Sequence, residues 1–484
     1  MRFDELNLGL EPGGTGPLYQ RVADRLAEAI QRGCLPQGSR LPGVRELARR
    51  FDVHPNTILA SMRGLEAEGW VRSVPRSGFF VNDELPAISS KEGLPDSGES
   101  APAFEVPSGL VSITSTQNLK MDLSDGLADA RLAPADALVR AYHRALNLKG
   151  TELLSSGDFK GHQRLRKSLV SHLATQRGVV LDPEQILVVR STSMAILLVA
   201  QTLLGPKGGH VAVENPGNPM VWETLRNISN ATLHPLSVDR DGARPDELEQ
   251  LLKQGPLDLL VLSPQCHYPT GVRLSDSRRF SMLDLSRLHR FPILELDTEY
   301  DYLFGPEGPP RPLVAGHQGQ IFYVGSLSRL LAPGVRIGFV GVPAHLAGPM
   351  ARIRQRVDWQ GDPMLEWALS ELFLDGEIFR QLRRVRKAAQ ERRDAIEDAL
   401  SHTFPELLEF DRQTGGMGLW LKGKGAYAKP GQFEGWVRAC RFKGLKLRPG
   451  SYFELTNQNL AATRLGYTAF TPEELQEAVA LMTP

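Results

Sequence analysis

The stretch Tyr323-Val-Gly-Ser-Leu-Ser-Arg329-Leu-Leu-Ala-Pro-Gly-Val-Arg336-Ile-Gly338 decides how the larger part of this chain folds. It begins inside an apolar run, Ile321-Phe-Tyr-Val324, and breaks at once into a loop carrying serines and arginines. Similar apolar runs occur at Ile186-Leu-Val-Val189, His210-Val-Ala-Val213, Leu259-Leu-Val-Leu262 and Pro292-Ile-Leu-Glu-Leu296. Short runs of this kind, alternating with helical stretches from about residue 120 onward, predict an α/β domain with a mostly parallel sheet. Chemistry in such sheets gathers at the carboxyl ends of strands. A long helical segment over 364–400 leads to a smaller C-terminal α/β portion.

At 484 residues the chain exceeds one ordinary core, and two domains are expected. Its 56 basic and 56 acidic residues cancel, so any nucleic-acid surface must be local rather than a global basic field. The three cysteines, Cys34, Cys266 and Cys440, are far apart and odd in number, which suggests neither a disulfide framework nor zinc spacing. Cys266 and His267 stand side by side without metal-ligand companions, so no metal site is expected. The polar N-terminus lacks an apolar signal core, and the run over 196–204 is interrupted by Gln201 and Thr202. These features predict a cytoplasmic protein without a membrane partner.

Residues 17–82 read as three short helices and a hairpin. Leu18, Val22, Leu26 and Ile30 recur every four residues, and Gly33, Pro36 and Gly38 stop that helix. Val44, Leu47, Ala48 and Phe51 mark a second helix. Pro55 suits the first turn of a third, which buries Ile58, Met62 and Leu65. Trp70-Val-Arg72 and Gly78-Phe-Phe-Val81 flank Pro75-Arg-Ser-Gly78 as strand, turn and strand. The predicted organisation is a winged helix-turn-helix over 1–82, a flexible Pro/Ser/Gly/Glu-rich linker over 83–115, and an α/β domain over 116–484.

The N-terminal residues resemble the GntR family of DNA-binding modules. The likeness rests on Pro17-Leu-Tyr19, Arg40-Leu-Pro42, Arg45-Glu-Leu-Ala48, Asn56-Thr57, Leu65-Glu-Ala-Glu-Gly69 and Ser77-Gly78 with Phe80-Val81. It implies that the helix beginning near Pro55 enters the major groove of double-stranded operator DNA. His54, Asn56 and Thr57 would then lie near base edges or phosphates. Arg40, Arg45 and Arg63 would neutralise phosphates, and Arg76 at the wing tip would reach the backbone or minor groove.

The loop quoted first resembles the cofactor-anchoring loop of fold-type I aminotransferases, except that Arg329 stands where that pattern has lysine. Further likeness lies in Gly157-Asp-Phe-Lys-Gly161-His, Glu214-Asn-Pro216-Gly217, Ser263-Pro264, His267-Tyr268-Pro269-Thr270-Gly271, Gly415-Gly416 and Arg464-Leu-Gly-Tyr467. A GntR-type reader joined to such a body is the layout of the MocR subfamily of regulators. The resemblance implies that Asp297 would meet the pyridinium nitrogen of pyridoxal phosphate and Tyr300 its ring oxygen. Many relatives carry two adjacent acids there, and the first is Leu296 here, so the correspondence can slip by one. Ser326, Ser328 and Arg336 match the phosphate cup, with Thr192 beside it, and Arg464 matches the clamp for a substrate carboxylate.

Three positions depart from that pattern. A guanidinium stays protonated and cannot form a Schiff base, so Arg329 leaves no catalytic residue and would instead contact an anionic effector. Ser191 stands where the phosphate loop normally has glycine, and Asn218 where an aromatic ring stacks on the cofactor. The expected protein is therefore a homodimeric transcriptional regulator that senses a small-molecule effector, such as an amino acid or a vitamin B6 compound. Any pyridoxal phosphate or related phosphorylated ligand would be held without a covalent bond. The competing readings are a working pyridoxal-phosphate enzyme fused to a DNA-binding module and a purely structural dimerisation body.

Overall fold

A computed structural model describes residues 17–31, 33–75, 77–83, 85, 119–304, 310–316, 320–412, 414–456 and 458–483. The chain divides into two compact units, 1–113 and 114–484. Of the expected linker over 83–115, only Asp83 and Leu85 are among the described residues.

The first unit is built by α1 (Leu18–Gln31), α2 (Val44–Phe51), α3 (Pro55–Ala67) and a hairpin of β1 (Val71–Val74) and β2 (Gly78–Val81). The four-residue apolar spacing of α1 buries Val22, Leu26 and Ile30 against Ile58, Met62 and Leu65 of α3. Ser61, also buried, donates its hydroxyl to the Tyr19 carbonyl at 2.6 Å, tying α3 to the start of α1. β1 and β2 pair antiparallel with Val71 opposite Val81. The sequence did not reveal that residues 38–41 lie along the outer edge of β2. Leu41 donates to the Phe79 carbonyl and Val81 to that of Ser39, both at 2.9 Å, while Gly38 donates to Val81 at 3.1 Å.

The second unit begins with β3 (Met121–Asp122), α4 (Ala135–Leu153), α5 (Gln163–Arg177), β4 (Ile186–Val189), α6 (Thr192–Leu203), β5 (His210–Asn215) and α7 (Pro219–Ser229). It continues through β6 (Thr232–Asp239), β7 (Gly242–Ala243), β8 (Leu259–Leu262), β9 (Ile293–Leu296), β10 (Ile321–Ser326) and β11 (Gly338–Gly341). These strands from β4 to β11 form one sheet in the order β4-β11-β10-β9-β8-β5-β6-β7. The pairs β10–β9, β9–β8, β8–β5 and β5–β6 are parallel, and β11 runs antiparallel between β10 and β4. Every residue of β4, β8, β9 and β10 is buried, because the sheet is covered on both faces.

Strand alternation sorts the core. Ile293 belongs to one face, whereas Leu294 and Leu296 belong to the other, with α6 and α7 residues. The predicted long helix over 364–400 is two helices, Pro363–Leu374 and Glu377–Thr403. They are separated at Gly376, whose φ of 71° ends the first one cheaply. The smaller portion pairs β12 (Leu408–Glu409), β13 (Gly418–Gly423) and β15 (Ala462–Gly466) antiparallel, and β14 (Leu445–Lys446) runs parallel to β3. No helix among the described residues is long and apolar enough to cross a membrane.

Candidate DNA-reading face and ligand cavity

The reading face follows from the helical period of α3. Asn56, Leu59, Ala60 and Arg63 are exposed along one side, opposite the buried Ile58, Ser61, Met62 and Leu65. His54 caps this helix, its Nδ1 accepting from the Asn56 amide at 3.2 Å, so its first role is to fix the start of α3. Thr57 is half-buried, and its carbonyl takes a second bond from Ser61. Arg45 is exposed on α2 and makes no ion pair among the described residues, whereas Arg50 is engaged by Glu46 at 2.9 Å. Arg40 sits on the added wing edge opposite Phe80, with its guanidinium beside Gly78 at the turn. Arg76 lies outside the described residues.

In the second unit a cavity of about 200 Å³ opens between the first turns of α6 and α7, the end of β9 and the C-terminal portion. Thr192 and Arg329 line it, together with Asn218, Leu296, Thr298 and Glu299. Asp297 and Tyr300 do not. Leu296 faces the cavity, so the following side chain turns to the opposite face of the sheet, where Arg177 of α5 receives it. Arg177 Nε lies 3.2 Å from Asp297 Oδ2, with a closer contact through Nη2, and the Tyr323 hydroxyl donates to the same oxygen at 2.8 Å. Tyr300 is buried with its hydroxyl 3.0 Å from His172 Nε2 and with Arg177 over its ring. Burial pushes His172 down to about 4, so this imidazole is neutral. The expected ring contacts from Asp297 and Tyr300 therefore do not fit; the strand-end residue that lines the cavity is Leu296, one position earlier.

The residues expected to form a phosphate cup lie outside this cavity. The Ser328 hydroxyl donates to the Ile337 carbonyl at 2.9 Å and accepts from its amide at 2.7 Å, closing the loop on itself. Ser326 is buried at the end of β10 and is not part of the cavity wall. Arg336 is exposed at φ 52° and lines a separate depression with Arg190 and Arg354. Ser191 caps α6 by accepting from the Met194 amide, and Asn218 caps α7 by accepting from that of Met220.

Glu299 organises the rest of the site. Both its oxygens accept from Arg464 Nη2, at 2.9 and 3.1 Å; Arg329 Nη1 lies 3.3 Å away and the Met417 amide donates at 3.0 Å. Burial raises the affinity of this carboxyl for a proton, but Arg464 and Arg329 outweigh it and hold Glu299 below the usual carboxylate range. Arg464 is fully buried, donates to the Pro269 carbonyl at 2.9 Å and stacks on Tyr268. It is not part of the cavity wall. Arg329 also donates to the Gly126 carbonyl at 3.1 Å. Gly416, at φ 94°, makes room here, since a side chain would press on the Cys266 sulfur at 2.8 Å. Sequence reasoning missed Glu299, although its carboxylate is the hub of the site.

His267 lies 3.8 Å from Glu214, but burial pushes the imidazole down to about 3 and the carboxyl up to about 8. At neutral pH this is a contact between uncharged groups, and Thr270 supplies the hydrogen bond to Nδ1 at 2.7 Å. Among the described residues no group of three or more His, Cys, Asp or Glu is placed to hold a metal.

These residues do not fit pyridoxal phosphate anchored as a Schiff base. Arg329 offers a guanidinium bonded to Glu299 rather than an amine, an apolar Leu296 faces the cavity at the strand end, and no aromatic ring stands at 218.

Comparison with known proteins defines the class to which this architecture belongs. Residues 18–81 match the bacterial regulatory proteins of the gntR family, and residues 118–481 match aminotransferase class I and II. The chain belongs to the aminotransferase class I and II family and carries a gntR-family domain ahead of it. The probable rhizopine catabolism regulatory protein MocR of Rhizobium meliloti is 26% identical over 471 residues, 96% of this chain and 92% of that protein. The HTH-type transcriptional regulator TauR of Rhodobacter capsulatus is 26% identical over 482 residues, 97% of each chain. In fold, the second unit is similar to the α-aminoadipate aminotransferase LysN of Thermus thermophilus, solved with N-(5'-phosphopyridoxyl)-L-leucine. That likeness has a TM-score of 0.69 and 23% identity, over 76% of this chain and 94% of that one.

Proposed function

We propose that this DNA-binding transcriptional regulator uses its aminotransferase-like unit to sense a small anionic effector and to dimerise, without Schiff-base chemistry. The regulator reading rests on the helix-turn-helix family match and the exposed face of α3. The sensor reading is carried by one observation: Glu299 binds both Arg329 and Arg464, the two residues that the resemblance aligns with the anchoring lysine and the carboxylate clamp. A site wired in this way holds a ligand by reversible contacts. Pyridoxal phosphate or another phosphorylated compound would enter as such a ligand, with Thr192 at the first turn of α6 and Arg329 as contacts.

Homodimer formation is supported by apolar side chains left in solvent on and after α4, Val139, Leu146, Leu148 and Leu154, and by the exposed Trp359. A cytoplasmic location agrees with a DNA-binding role.

Adding pyridoxal 5'-phosphate to the purified full chain and then borohydride is expected to leave no pyridoxyl group on any residue reaching this cavity, as read by peptide mass mapping. An adduct on a lysine that reaches this cavity would instead support the enzyme reading.

A further inference from the structure

The arginine that sequence matching nominates for a ligand's anionic group, Arg464, has no free edge to offer. Two of its nitrogens are committed to Glu299 and Pro269, its Nε lies 3.6 Å from Asp125, and it is sealed from solvent. A solution carboxylate would have to displace a covalently tethered one. Arg329 is in the cavity but shares its Nη1 among the Gly126 carbonyl, Glu299 and the Met417 sulfur.

Arg448 is different. It lies between β14 and β15, lines the same cavity, is half-buried and forms no ion pair among the described residues. Its guanidinium carbon sits 4.1 Å from the centre of the Tyr452 ring, which also lines the cavity. Stacking on a ring orients the planar fork and lowers the entropy lost when it grips an anion, while its N–H edge stays available for a bidentate contact. Its carbonyl accepts from the buried Thr463 hydroxyl at 2.6 Å, so the backbone beneath it is pinned to β15. Thr192 and Ser193, at the start of α6, line the same cavity and add neutral donors.

We propose that Arg448, held by Tyr452, is the residue that grips the effector's anionic group, a carboxylate or a phosphate on a small molecule. This rests on the sensor reading above. Glu299 and Asp125 in the same cavity would disfavour a ligand bearing many negative charges.

The test is calorimetric titration of the full chain with four anions. Inorganic phosphate and pyridoxal 5'-phosphate form one arm, succinate and L-glutamate the other, so the two arms separate phosphate from carboxylate recognition. At least one anion is expected to bind, with Arg448→Gln weakening it about tenfold or more. Arg448→Lys should recover part of that loss, and Tyr452→Leu should weaken binding severalfold through the lost stacking. Equal affinity in wild type and Arg448→Gln would overturn the proposal, as would the absence of binding by all four anions at millimolar concentration. Operator binding by the wild-type preparation is measured alongside; its failure counts against the regulator reading, whereas anion binding indifferent to Arg448 counts against this assignment.

Discussion

Replacing Glu299 by alanine is expected to destabilise the second unit by about 3–5 kcal/mol, because it strands a buried cation. Arg464 would keep the Pro269 carbonyl, the Tyr268 ring and Asp125 at 3.6 Å, and it is sealed from solvent. Arg329 would lose its carboxylate, and the Met417 amide its acceptor. Glu299→Gln, which keeps a carbonyl acceptor but not the charge, should lose less. Urea unfolding of the full chain, followed by a probe of the second unit, measures both; a loss under about 1 kcal/mol for the alanine variant would mean that Arg464 finds another partner. The sign with pH follows from the direction of the shift. The folded-state carboxyl titrates below its ordinary range, so its stabilisation is present above the ordinary glutamate value near 4.3 and disappears as pH falls through the folded value. The Glu299→Ala protein should therefore show a flatter loss of stability on acidification than the wild type.

Arg45→Ala and Arg63→Ala are each expected to weaken operator binding about tenfold and to make the salt slope shallower by about 0.9 per lost phosphate contact. Both side chains are exposed, and Arg63 shares the outward side of α3 with Asn56. Asn56→Ala should leave the salt slope in place and change which bases are preferred, because an uncharged amide displaces no counterion but can pair with a base edge. Unchanged binding of the arginine variants across a salt titration would show that DNA meets another face. His54→Ala mixes a lost helix cap with any DNA contact, so its effect must be divided between stability and affinity.

The sheet was legible because β4, β8 and β9 are short apolar runs buried on both faces, a pattern that composition alone exposes. The three helices of the reading head were equally plain from spacing and from Pro55. β11 was not, since a glycine-flanked four-residue run gives no sign that it inserts antiparallel between β4 and β10. The site was harder for a physical reason. Strand side chains alternate, so an uncertainty of one residue at Leu296-Asp297 exchanges the cavity wall for the far side of the sheet. The partner that claims Asp297, Arg177, is 120 positions away in sequence, and Glu299 joins Arg464 across 165. Pairings at such separations leave no local trace. Arg448 belongs to no motif, and its standing depends on its forming no ion pair among the described residues, which only the fold reveals.

The strand edge formed by residues 38–41 has a consequence for how operators are told apart. It ties the connection between α1 and α2 to the wing through three backbone hydrogen bonds, while Ser61 ties α3 to α1. Helix and wing are thus braced as one stamp of fixed spacing. A stamp that does not yield requires the duplex to yield, and the cost of narrowing a groove or opening a base step differs from one sequence to another. Operators will then be ranked partly by the stiffness of base pairs that no side chain touches.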